Sequence, residues 1–249
     1  MAATTMLALI IPSVLIPFML SPPVDSATFT FQNNCPYPVW PGTQNSAGSP
    51  PLPQTGFALP SRSAPVTVTA PSGWSGRFWP RTGCSTDSSG RFSCASADCG
   101  SGQVACNGAG GAPPATLMEI TLNGADGKDF YDLSLVDGFN VPMSVAPQGG
   151  SGGCVTSSCP ADVNSECPQQ LRVTDANGAV VGCKSACLGF DTDEYCCRNA
   201  FGSPGTCKPS KYAQMFKAAC PQAHSYAFDD SSSTFTCIGA AGYLITFCP

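Results

Sequence analysis

Sixteen cysteines, all at or beyond Cys35, constrain this chain more than any other feature. The cytosol keeps thiols reduced, whereas an even and dense set pairs in oxidising compartments. The reading is therefore eight disulfides in a protein that leaves the cell. Zinc is the rival use of clustered cysteine. It is disfavoured, because the chain has one histidine and no pair of C-x2-C knuckles at zinc-ribbon spacing. Adjacent Cys196 and Cys197 are read as bridging to two different partners, since neighbouring Cα atoms sit too close for relaxed disulfide geometry. Spacing alone leaves the connectivity open among about two million pairings.

The N-terminus agrees with export. Met6 to Leu20 is almost wholly apolar, and Val24-Asp25-Ser26 offers acceptable residues at −3 and −1 of a cleavage point. Residues 1–26 are read as a signal peptide, and residues 27–249 as the mature protein. The run falls short of the roughly 20 residues that span a bilayer, and Pro12 and Pro17 interrupt it, so stable membrane insertion is not expected. Charged residues make up only 11%, with a net charge of −5. Nucleic-acid binding calls for a basic stripe, and none is present.

Alternation sets the fold class. Phe29 and Phe31 share one face of Thr28–Gln32, a strand pattern. Further strands are expected at Val66–Thr69, Gly76–Trp79, Leu117–Leu122, Phe130–Val136, Thr234–Ile238 and Tyr243–Cys248, separated by Gly, Pro, Asn and Asp clusters. Strands at both ends of the chain imply that the termini meet in one sheet. The class is all-β. Between about 149 and 220 the pattern changes to Gly-rich turns and frequent cysteines, a loop-rich subdomain held by disulfides rather than by a core of its own. Two short helices are expected near it. One begins at Asp191, with Glu194 completing a box-like cap. The other begins at Ser210, with Tyr212, Met215, Phe216 and Ala219 on one face.

Several motifs coincide with this pattern. Gly90-Arg91-Phe92-Ser93-Cys94-Ala95-Ser96-Ala97-Asp98-Cys99, followed by Cys106, is similar to the signature of the plant thaumatin-like, or pathogenesis-related, family. Ser96 stands where that family usually has Thr and keeps the hydroxyl. Asn33-Asn34-Cys35-Pro36, Gly76 to Cys84, Tyr131 to Asn140, Asp229-Asp230, Ser233 to Cys237 and Thr246 to Pro249 resemble other family landmarks in family order. The resemblance implies a flattened β-sandwich of thaumatin type, with a disulfide-rich loop and short-helix subdomain and a small third lobe. It also implies the pairs Cys35–Cys248, Cys84–Cys94, Cys99–Cys106, Cys154–Cys237, Cys159–Cys220, Cys167–Cys183, Cys187–Cys196 and Cys197–Cys207. Family members carry an Arg-Glu-Asp-Asp-Asp set lining an acidic cleft, which falls here on Arg77, Glu119, Asp132, Asp137 and Asp230.

Each of these residues also has a plain structural reading. Glu119 alternates with Met118, Ile120 and Leu122, so it takes the other face of its strand, which a solvated carboxylate would suit. Asp132 lies opposite the Tyr131, Leu133 and Leu135 face. Asp137-Gly138 is a common turn pair, Asp230 sits in a polar loop, and Arg77 could simply pair with one of the acids. Brought together, two carboxylates can hydrolyse a glycosidic bond or bind sugar hydroxyls as ionised acceptors. Glu119 with Asp132 is the preferred catalytic pair if the protein is an enzyme. His224, the single histidine, is read as a packing residue. Gly149 to Gly153 is a turn, since no Gly-Lys-Ser/Thr follows it. Most of Trp40, Trp74, Trp79, Phe78 and Tyr131 are assigned to the core rather than to sugar stacking.

The expected function is that of a secreted, monomeric defence-type protein that binds β-1,3-glucan of fungal walls and is antifungal. A weak endo-β-1,3-glucanase using the same cleft, or a protein-binding inhibitor of a microbial hydrolase, are the alternatives. No cofactor or metal is implied, and no N-x-Ser/Thr sequon occurs. The chain stops one residue past Cys248, which the resemblance associates with the apoplast.

Overall fold

The computed structural model describes residue 1 and residues 26–249; the expected signal peptide therefore lies almost wholly outside the described residues. Fourteen strands follow one another: β1 Ala27–Asn33, β2 Trp40–Asn45, β3 Val66–Ala70, β4 Ser75–Arg81, β5 Ser85–Thr86, β6 Phe92–Ser93, β7 Leu117–Thr121, β8 Asp129–Ser134, β9 Met143–Gln148, β10 Ser157–Cys159, β11 Arg172–Thr174, β12 Val180–Cys183, β13 Phe235–Cys237 and β14 Gly242–Phe247. Among the described residues five short α-helices, α1 Val163–Glu166, α2 Ala186–Phe190, α3 Asp193–Cys196, α4 Lys211–Ala219 and α5 Asp230–Ser233, lie in the second half of the chain.

Two five-stranded sheets, ordered β10-β9-β14-β1-β3 and β13-β8-β7-β4-β2, form the sandwich. The chain ends do meet: β1 runs parallel to β14 from Thr28↔Gly242 to Asn33↔Phe247, and Cys35–Cys248 closes the pair. That bridge spans 213 residues, and in the chain-entropy account such a closure contributes on the order of 5 kcal/mol. Alternate residues of β1 turn inward. Phe29 meets Phe78 at 4.7 Å and Trp74 at 5.6 Å between ring centroids, and Tyr243 meets Tyr131 at 5.3 Å. These aromatic contacts join the two inner faces. Truncating one such ring to Ala costs about 3–5 kcal/mol.

Strands β2 and β9 were not legible as strands, and proline is the reason. Pro41 and Gly42 interrupt β2, which is tolerated because β2 is an edge strand. Pro147 falls in β9 beyond the end of its short neighbour β10, whose pairing stops at Val145.

The loop-rich region carries β11, β12 and α1 to α4, and four disulfides lie between its cysteines, with Cys159–Cys220 at its limits. Leu171, Tyr212 and Phe216 join the sandwich's own core cluster, so the region packs onto that core. Ser210 caps α4, its Oγ accepting from the Ala213 amide at 3.1 Å. The expected start at Asp191 needs correction. Asp191 ends α2 in the left-handed conformation (φ 49°), and Thr192 caps α3 instead, its hydroxyl accepting from the Tyr195 amide. A hydroxyl one residue later does the work expected of the carboxylate.

The third lobe covers the other face of β4. Trp79, fully buried, donates its indole N–H to the Ala97 carbonyl at 3.1 Å and lies between Gly42 and Gly111, where an added Cβ would stand 2.6 and 2.5 Å from the ring. Arg81, also fully buried, donates to the carbonyls of Trp40 and Val104. Burial pushes its pKa down to about 10, with Asp98 opposing. Among the core assignments, Trp74, Trp79, Phe78 and Tyr131 are buried, and Trp40 is half-buried. Among the described residues, no helix is long and apolar enough to cross a membrane.

Candidate functional site

The register of the second sheet builds a polar row. Gln44 of β2 pairs with Arg77 of β4, Arg77 with Glu119 of β7, and Glu119 with Asp132 of β8. Because side chains alternate, the neighbouring row Phe78–Met118–Leu133 faces the core, and this one faces away from it. Directly opposed residues hold their Cβ atoms about 4.5–5.5 Å apart, so the two carboxylates are close neighbours before any side-chain rotamer is chosen.

That outer face is not freely solvated. Arg77, Glu119, Asp132, Asp137, His224, Asp230 and Thr234 are among the residues lining an open cleft of about 370 Å³. All five residues of the expected acidic set therefore border one cavity. Asp137 reaches it from the turn after β8, where Gly138 adopts φ +83° and an added Cβ would lie 2.6 Å from the Cys183 carbonyl oxygen and from Pro114. Its carboxylate stands 4.0 Å from the Arg77 guanidinium, which also donates to Gln44 Oε1 at 2.7 and 3.1 Å. Asp230 opens α5 at the far rim, its side chain 76% exposed.

Electrostatics divide the carboxylates. Burial, with Glu119 and Asp230 nearby, pushes the Asp132 carboxyl up to about 8. Burial also raises Glu119; Arg77 opposes that rise and Asp137 adds to it. The shift favours the protonated form of Asp132, which can donate a hydrogen bond, as an ionised carboxylate cannot.

Sequence reasoning missed Gln44, His224 and Thr234. His224 is buried, as a packing residue would be, but it packs into the cleft wall. Its backbone joins the edge of β8, its N–H donating to the Leu133 carbonyl and its carbonyl accepting from Leu135. The neighbouring chain is clamped by Lys217, whose ammonium lies 3.1 Å from Asp229 and donates to Ser233 Oγ and the Ala223 carbonyl. Asp229 also accepts from the amide and hydroxyl of Ser225. Burial would raise its pKa, but these partners outweigh it and hold the carboxyl below its ordinary value. A distant histidine gives no local pattern of this kind; only its being the single imidazole of an acidic chain marked it.

A disulfide-stapled β-sandwich with an acidic groove on the outer face of one sheet is thus defined. A profile of the Thaumatin family matches residues 33–249, and the chain belongs to that family. It is 59% identical over 224 residues to "Thaumatin-like protein 1a" of Malus domestica, covering 90% of this chain and 91% of that relative. It is 56% identical over 224 residues, with the same shares covered, to a Prunus avium protein named "Glucan endo-1,3-beta-glucosidase". Among solved structures, a laminaripentaose-producing β-1,3-glucanase in complex with laminaritetraose shares the fold, with a TM-score of 0.61 at 13% identity, covering 90% of this chain and 99% of that one. The eight disulfides of the structure are the eight pairs named from the sequence, and no cysteine is free.

Proposed function

We propose that this protein is a secreted, apoplastic defence protein that binds β-1,3-glucan of fungal walls in the acidic cleft, and is antifungal through that binding. The observation that carries the reading is the row Arg77–Glu119–Asp132 along an open cleft, with Gln44 accepting from the Arg77 guanidinium at its end. A β-glucan presents many neutral hydroxyls, each able to donate and accept. The row offers donors at Arg77 and at protonated Asp132, and an acceptor at Glu119. The name of one relative, the Prunus avium protein, supports a glucan as that polymer.

Hydrolysis is the second reading, and one observation favours it. Asp132, whose carboxyl burial pushes up, stands directly opposite Glu119 on the neighbouring strand, and such a pair suits the division of labour of glycosidic cleavage, one acid and one base or nucleophile. Co-sedimentation with insoluble β-1,3-glucan, paired with a reducing-sugar assay, tests both. Glu119→Gln removes the acceptor charge and is expected to weaken binding by about 1–3 kcal/mol. Asp132→Asn replaces a neutral carboxyl with a neutral amide, so below pH 7 binding should change by less than about 1 kcal/mol. Robust sugar release that Asp132→Asn abolishes would establish the enzyme. A wild type that sediments with no β-glucan overturns the binding reading and leaves a protein partner, such as a microbial hydrolase.

A further inference from the structure

The cleft wall contains a group that the acidic set does not account for. His224 Nε2 lies 3.9 Å from Asp132 Oδ2 and 3.2 Å from Thr234 Oγ1, while Nδ1 lies 3.9 Å from Asp230 Oδ1. Each ring nitrogen thus faces a different carboxylate of the cleft. The ring cannot easily turn away. Its backbone is hydrogen-bonded to β8 on both sides of Ser134, the strand that carries Asp132 two residues earlier, and the Lys217–Asp229–Ser225 clamp fixes the next turn. The side chains of His224 and Asp132 are 11% and 18% exposed, so water screens their interaction weakly.

We propose that His224 and Asp132 form an electrostatically coupled pair in the cleft wall, with His224 as the positioning residue that governs the proton Asp132 presents to a bound sugar. The proposal rests on the glucan-cleft reading only for the identity of that sugar. Two arrangements hold one proton between them: a neutral imidazole beside a carboxylic acid, or an imidazolium beside a carboxylate. The second places a full positive charge between Asp132 and Asp230 and frees Asp132 as an acceptor. The first makes Asp132 a donor. A hydroxyl that donates favours one and a hydroxyl that accepts favours the other, so the pair can serve successive rings of one polymer with the same two residues.

The surrounding charges bear on this balance. Asp230 at the start of α5 favours the imidazolium, as does Asp229 just before α5; Lys217 on α4 opposes it, and Asp132 on β8, 3.9 Å away, favours it only when ionised. Glu119 on β7 faces Asp132 and favours the carboxylic acid there. Burial lowers the His224 pKa and raises that of Asp132, so desolvation alone favours the neutral pair. At 3.9 Å the two groups share no direct hydrogen bond, so each exchanges its proton with solvent and they are coupled through charge. Interacting sites of this kind titrate as a pair, and their coupling is reciprocal.

The test is NMR titration of the Asp132 carboxyl carbon and the His224 ring nitrogens, without ligand, in wild type, His224→Gln and Asp132→Asn. An opposite charge at this range moves a midpoint by about 1–3 pH units. The expected result is that His224→Gln raises the Asp132 midpoint by at least about one unit, and that Asp132→Asn lowers the His224 midpoint by a similar amount. Midpoints that move by less than about 0.3 unit in both variants overturn the proposal, because sites that close would then be uncoupled. If His224→Gln does not fold, the Asp132→Asn spectrum decides alone, since an Asn amide is nearly isosteric with the carboxyl. A second arm titrates wild type with a soluble β-1,3-gluco-oligosaccharide: sugar that shifts the ring-nitrogen signals supports the pair's role in the cleft. Coupled midpoints with no sugar response keep the pair and refute the glucan reading.

Discussion

Asp132→Asn should make this protein more stable, and increasingly so as the pH rises. The carboxyl titrates near 3.8 in an unfolded chain and is pushed up to about 8 in the cleft by burial, Glu119 and Asp230. A group whose folded pKa is the higher one holds more protons in the native state. Its contribution to stability is therefore fullest below about pH 4 and is lost as the pH rises to about 8. At 1.36 kcal/mol per pH unit the full difference amounts to roughly 5–6 kcal/mol. The cleft is open, and relaxation and water entry reduce such penalties, so about 2–3 kcal/mol is the expected measured effect. The amide cannot ionise and escapes the penalty. Urea denaturation with the disulfides intact, at pH 4 and pH 8, measures the difference between variant and wild type at each pH. Subtracting the two cancels whatever the substitution does to packing. A stability difference that is the same at both pH values would mean that Asp132 ionises normally, and the division of roles between the two carboxylates would fall with it.

Gly138→Ala should destabilise the fold by about 2–4 kcal/mol in the same assay, because the position is left-handed and the added methyl meets the Cys183 carbonyl and Pro114. Glucan binding should weaken with it, as Asp137 moves; wild-type binding in a folded variant would separate Asp137 from the site. Lys217→Met leaves half-buried Asp229 without its cation and should raise the Asp229 pKa and speed hydrogen exchange across 223–233, at a cost of about 1–3 kcal/mol; unchanged exchange there would refute the clamp. Thiol titration of denatured, unreduced protein should find essentially no free thiol, since all sixteen cysteines are paired. Two or more reactive thiols per chain would contradict the bridges.

Local patterning decided much of this molecule. Alternation of Phe29 with Phe31, and of Glu119 with Met118 and Ile120, is enough to assign strand and face, because pleating sends neighbours to opposite sides whatever the partner strand. Ser210 caps α4 through a hydroxyl that accepts from the Ala213 amide three residues on, a contact within one turn. Strands β2 and β9 stayed hidden because a proline reads as a breaker until the neighbouring strand is known to be missing or to have ended. The candidate site divides in the same way. That Glu119 and Asp132 leave the core follows from sequence alone. That they stand side by side depends on the β7–β8 register, and that Asp132 keeps a proton depends on what roofs it. His224 arrives from 92 residues further along the chain, held by a clamp of Lys217, Ser225 and Asp229. No periodicity encodes a contact of that range. Ionisation depends on desolvation and on charges within a few ångströms, and both are properties of the assembled cleft rather than of any segment of the chain.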